Sequence, residues 1–131
     1  MFLIPTVLRR SPIHGTGVFA AADVPAGTRV WEFTSGIDWE MTADQLEAFP
    51  EPFRGWLSDL VYQTDDGMYV LCGDAGRYMN HSFEPNCDDR EDGTWANRDI
   101  TAGEELTCDY RSFDLRSRLD GLEEWRAQRA S

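Results

Sequence analysis

Three short segments carry residue types whose spacing can support chemistry. The first is Ser11-Pro12-Ile13-His14-Gly15-Thr16-Gly17-Val18-Phe19, in which two glycines without a Cβ let backbone approach a ligand closely. An ordinary hairpin turn needs the same glycines, and for a lone G-x-G that is the simpler reading. It is not a dinucleotide fingerprint, because the third glycine and the following helix are absent. The second segment is Arg77-Tyr78-Met79-Asn80-His81-Ser82-Phe83-Glu84-Pro85-Asn86. Asn80, His81 and Ser82 offer several hydrogen-bonding groups to a polar ligand, and the Arg77 guanidinium can fork onto a carboxylate. A polar loop whose side chains satisfy neighbouring backbone would look the same. The third segment, Gly103-Glu104-Glu105-Leu106-Thr107-Cys108-Asp109-Tyr110, reads as a strand ending in a Tyr. Such a Tyr can bury its ring and aim its hydroxyl into a cavity, or can simply be a core aromatic.

The elements that must position these segments are mostly short strands. Leu3 to Leu8, interrupted by Pro5, then Val18 to Ala20 and Arg29 to Phe33 read as strands separated by Gly and Pro turns. The middle is helical. Thr42-Ala43-Asp44-Gln45 has the spacing of a capping box, opening a helix that stops before Pro50. Phe53, Trp56, Leu57, Leu60 and Val61 recur at helical spacing and predict a second helix. Met68 to Cys72 returns to strand, and Ala96 to Ile100 and Glu105 to Tyr110 form a strand pair about Ala102-Gly103. After Asp114, an expected N-cap, Leu115, Leu119, Leu122 and Trp125 define one face of a terminal helix that Gly121 weakens.

The chain has 131 residues, the span of one domain with one core. Its hydrophobic fraction of 41% and aromatic fraction of 12% exclude a disordered acidic tail. Twenty-four acidic residues face twelve basic ones, all Arg, for a net charge of −12. That field disfavours nucleic acid and anionic lipid and favours cationic partners. Acidic runs such as Asp88-Asp89-Arg90-Glu91-Asp92 can draw a basic segment, although such runs are usually solvated loops. Cys72, Cys87 and Cys108 form no C-x-x-C pair and are odd in number, so reduced thiols and a cytoplasmic location are expected. No run approaches the length of a membrane span.

Taken together, and in this order, the three segments resemble the SET-domain protein methyltransferases. That family has an S-x-I-H-G-x-G-x-F opening, a central R-[FY]-x-N-H-S-x-x-P-N and a closing R-D-I-x-x-G-E-E-L-T-x-D-Y. Here they correspond to Ser11–Phe19, Arg77–Asn86 and Arg98–Tyr110. The resemblance implies a mostly β fold (a β-clip) of several small sheets with a threaded, knot-like core. It places the domain at 1–111 with a helical insert at about 41–62, followed by a C-terminal helical extension at 112–131.

The activity it implies is transfer of methyl groups from S-adenosylmethionine to lysine in a basic protein substrate, with no nucleic acid or membrane partner, by a monomer or homodimer. Tyr110 matches the catalytic position. His14, Thr16, Gly17, Arg77, Asn80 and His81 match positions that contact the cofactor. Phe83 stands where the family has Cys, and no C-x-C cluster follows Tyr110, so the zinc-bound tail of many relatives is absent and no metal is expected. Phe113 and the terminal helix, with Trp125, are then candidates for the wall of the lysine channel. The helix can equally pack on the domain or serve a dimer. Cys108 occupies a position where many relatives carry an aromatic residue that limits methylation, so more than one methyl per lysine is expected. The alternative from a different class is a catalytically silent SET module that binds basic peptides.

Overall fold

The computed structural model describes residues 1–120 and 122. Among the described residues, ten strands make four small sheets. β1 (Thr6–Arg10) and β2 (Thr16–Ala20) form an antiparallel hairpin in which Val7 faces Phe19. β3 (Arg29–Trp31) pairs with β9 (Gly93–Ala96), which pairs with β8 (Cys87–Arg90), all antiparallel. β4 (Trp39–Met41) and β5 (Tyr62–Gln63) flank β6 (Tyr69–Leu71). β7 (Asn80–His81) and β10 (Thr107–Cys108) run parallel, with Asn80 opposite Thr107 and His81 opposite Cys108.

The helices sit between β4 and β5 and after β10. α1 (Ala43–Glu47) opens on the expected capping box: the Gln45 amide donates to Thr42 Oγ1 at 3.1 Å, and the Thr42 amide donates to Gln45 Oε1 at 2.8 Å. α2 (Phe53–Leu60) takes its predicted place, but its apolar stripe divides. Leu57 is buried with Leu46 and Val61, whereas Phe53 and Trp56 are 43% and 55% exposed. A pair of helices this short covers only one narrow stripe.

Two apolar clusters replace the single core expected. The larger joins Val18, Ala20, Val24, Val30, Cys87, Ala96, Ile100 and Leu106. The smaller, Leu46, Leu57 and Val61, belongs to the helical insert. All three cysteines are buried and free.

Several boundaries differ from expectation. The first strand begins at Thr6, after Pro5, because proline lacks the N–H that a ladder uses. The stretch from Ala96 to Ile100 is not one strand: Ala96 ends β9, and Ile100 makes an isolated bridge to Val24. Tyr110 does not end a strand. It opens a 3₁₀ turn, Tyr110–Ser112, capped by Asp109, whose Oδ1 accepts from the Arg111 amide at 3.0 Å.

The terminal helix is described as α3 (Leu115–Asp120). Leu119 is 78% exposed, and Leu122 is buried at a φ of 65°, outside helical geometry. Polar contacts dock this helix in place of the apolar face expected. Asp114 Oδ1 accepts from the Gln63 amide at 2.9 Å, Asp114 Oδ2 accepts from Ser117 Oγ at 2.6 Å, and Arg116 donates to the carbonyls of Ser58 and Val61. Trp125 and the weakening Gly121 lie outside the described residues. No described helix is long and apolar enough to cross a membrane.

Candidate active site

The segment 104–108 runs between two neighbours and brings the three motifs together. On one side the Ala20 amide donates to Glu104 O and the Leu106 amide donates to Val18 O. On the other it pairs with β7 and is clamped by Asn86. The Asn86 Nδ2 donates to Glu105 O at 2.8 Å, and its Oδ1 accepts from the Thr107 amide at 2.9 Å. This two-sided embrace is the local geometry that a threaded core requires.

The turn of the first motif is tied to that segment through Glu105. Ser11 Oγ donates to the Glu105 carboxylate at 2.7 Å and accepts from the Ile13 amide at 2.9 Å. Asn80 Nδ2 donates to His14 O at 3.0 Å and to Glu105 Oε2 at 2.9 Å, and lies 3.4 Å from Thr16 O. At Gly17 the first motif packs tightly against that segment. A Cβ there would lie 2.9 Å from both Ser11 Cβ and the Glu105 carboxyl carbon.

The third motif closes on the second through His81. Its Nδ1 accepts from the Tyr110 amide at 3.0 Å, so the ring nitrogen facing Tyr110 carries no proton. The Tyr110 hydroxyl donates to Met79 O at 2.7 Å. Burial pushes its phenol above the ordinary value, which keeps the hydroxyl protonated. Burial likewise raises Cys72 and Cys87 to about 12, and Cys108 well above its usual value, so these thiols are inert packing groups.

Two cavities open around these residues, one of about 1000 Å³ and one of about 240 Å³, and His14, Arg77, Asn80 and Tyr110 line both. Thr16 lines the smaller. Cys108, Phe113 and Tyr62 line the larger. Gly17 lines neither; its contribution is the close approach to Glu105. His81 is buried behind the wall and touches Tyr110 through its Nδ1. Phe113 stands edge-on to Tyr62 at 5.1 Å and to Tyr110 at 5.9 Å, so the three rings share one wall. Described residues of α3 that line this cavity are chiefly polar: Arg116, Ser117 and Asp120.

The sequence matches the SET domain family over residues 15–111. The chain belongs to the SET domain family. Two relatives of this SET domain have similar identity. One is the "Histone-lysine N-methyltransferase, H3 lysine-4 specific" of Mycosarcoma maydis, 34% identical over 78% of this chain and 8% of that protein. The other is human "Histone-lysine N-methyltransferase 2B", 35% identical over 78% of this chain and 4% of that protein. The chain thus spans under a tenth of the length of either. Among solved structures, a chain of the Chaetomium thermophilum Polycomb Repressive Complex 2, a humanized mutant with a bound inhibitor, aligns at a TM-score of 0.63. It is 27% identical over 88% of this chain and 16% of that one. A Plasmodium falciparum protein aligns at a TM-score of 0.60 with 18% identity over 82% of this SET domain and 93% of its own chain, a likeness of fold.

Three residues that hold the site together were not singled out from sequence. Glu105 reads only as a strand residue within the closing segment, Asn86 as the end of the central one and Tyr62 as the end of the insert. Only the alternation along 104–108 hinted at Glu105: Leu106 is buried on one face and Glu105 takes the other.

Proposed function

We propose that this SET domain is a protein-lysine N-methyltransferase that uses S-adenosylmethionine and acts on a basic protein substrate. The observation that carries this reading is the meeting of the turn at 14–16, Arg77, Asn80 and Tyr110 around one cavity.

The residues present fit the cofactor. Arg77 lines both cavities and makes no ion pair among the described residues, which leaves its guanidinium for a carboxylate. The carbonyls of His14 and Thr16, already directed toward Asn80, retain acceptor capacity for an ammonium. Trp31 Nε1 and Arg29 Nε, from residues that line the larger cavity, are buried donors with no partner among the described residues. When bound, S-adenosylmethionine supplies a sulfonium methyl whose departure needs no acid.

What remains for the protein is positioning and desolvation. The Tyr110 hydroxyl, fixed by Met79 O, is placed to orient an amine beside the methyl, and correct alignment can account for a large share of the rate. Its raised pKa argues against a general base, so the amine loses its proton to water. The rings of Tyr62, Tyr110 and Phe113 form an apolar wall that lowers the pKa of an entering lysine. With Cys108 small at that wall, products beyond monomethyl lysine fit. The buried, free thiols suit the reducing cytoplasm we propose as the compartment.

The test is transfer of labelled methyl into a panel of basic proteins, including histone H3. Tyr110→Phe is expected to lose roughly a hundredfold or more in transfer, the scale of a misplaced reacting group, while cofactor binding stays. Cofactor binding without transfer to any acceptor would favour the silent peptide-binding module.

A further inference from the structure

We propose that Asp89 receives the substrate lysine as its ammonium and makes the cavity beside Tyr110 selective for a cationic amine. The inference rests on the methyltransferase reading above and adds a group which that reading does not use.

Asp89 stands third in β8, a strand whose side chains alternate between faces. Cys87 is buried in the core, Asp88 is exposed, and Asp89 turns back inward to line the larger cavity with Tyr62, Cys108, Tyr110 and Phe113. Its oxygens are incompletely satisfied. Thr94 Oγ1 donates to Oδ1 at 2.8 Å. Ser112 Oγ lies 3.1 Å from Oδ2, but its single proton also has the Asp109 carbonyl at 2.6 Å. A carboxylate accepts about four hydrogen bonds, so capacity for an ammonium remains.

No arginine forms an ion pair with Asp89 among the described residues. The titratable groups around it are Asp88 and Cys87 on its own strand, Asp109 ahead of the 3₁₀ turn, Cys108 on β10 and Tyr62 on β5. The cations lining the same cavity are Arg29, Arg77, Arg90 and Arg116, and none forms an ion pair with Asp89 among the described residues, so its carboxylate remains available to an entering ammonium. Burial and the nearby acids push the Asp89 carboxyl up to about 6 despite its two hydroxyl contacts. It is therefore ionised at neutral pH and neutral in mild acid. An ionised Asp89 helps the lysine dock as a cation but also holds its proton, so docking and reaction pull in opposite directions.

The test compares a histone H3 tail peptide carrying one lysine with the same peptide carrying norleucine, as competing ligands of the cofactor-loaded protein. Wild type is expected to prefer lysine at pH 8 and to lose that preference as the pH falls below about 6. Asp89→Asn should lose roughly tenfold or more of the preference at pH 8, the scale of one charged hydrogen bond, and should show no acid limb. Its KM for the lysine peptide should rise while kcat holds or increases. Asp89→Glu should keep the preference, which separates charge from shape, and the exposed neighbour variant Asp88→Asn should behave as wild type. An Asp89→Asn protein that binds cofactor and keeps both the lysine preference and its acid limb would overturn the proposal and leave methyl transfer standing. A wild type that transfers methyl to no acceptor would overturn both readings.

Discussion

A carboxylate buried without a cation is costly to a fold, and at Asp89 that cost is measurable. Burial pushes its carboxyl up to about 6, against about 3.9 for an unfolded chain. Above pH 6 the folded state therefore carries a charge it disfavours, and protonation relieves it progressively as the pH falls from 6 toward 4. Asp89→Asn should accordingly be more stable than wild type by about 3 kcal/mol at pH 8, with the difference vanishing near pH 4. Paired thermal unfolding of the two proteins across that range checks it; equal curves at pH 8 would show that the charge is not strained. In the sequence, Asp89 is indistinguishable from its acidic neighbours. Tyr110, Asn80, His81 and Arg77 were legible because long motifs flank them. Asp89 was not, because an acidic side chain in a charged run reads as solvated, and only the sheet register turns it inward.

At the scale of elements, the site depends on a turn and two very short strands pinned by one side chain. Asn80 on β7 holds the 14–16 turn and Glu105 at once. Asn80→Ala leaves the His14 carbonyl without its donor and takes one of two donors from the Glu105 carboxylate, and is expected to cost about 2 kcal/mol. Cofactor affinity should fall together with the denaturant midpoint; a protein that loses one and keeps the other would separate the roles assigned to this residue. The capping box at Thr42 was legible because it needs only residues three apart. The division of α2 into buried Leu57 and exposed Trp56 was not, since periodicity names a stripe and not its cover. The apolar face drawn through Leu115, Leu119 and Leu122 failed for a related reason. α3 is anchored by Asp114 and Arg116, whose partners Gln63 and Ser58 lie on distant segments, while Ser117 bonds back to Asp114.

Across the whole molecule, strands of two to five residues in four separate sheets carry little periodic signal. The alternation of short strands and turns indicated a β-rich chain, and the three motifs indicated which one. The net charge of −12 acts at this scale too. A field of that sign should draw a basic peptide over distances near the Debye length, roughly 10 Å at 0.1 M salt and 3 Å at 1 M. KM for a basic peptide is therefore expected to rise several-fold over that range, while a net-neutral peptide changes little; identical salt curves would confine recognition to direct contacts. The bonds that join the first turn to Asn80 and Glu105 cross 66 and 94 residues. A chain leaving the ribosome at about 5–20 residues per second therefore holds an unfinished turn for several seconds. Until Glu105 emerges, the first turn lacks the carboxylate that anchors it through Ser11 and Asn80.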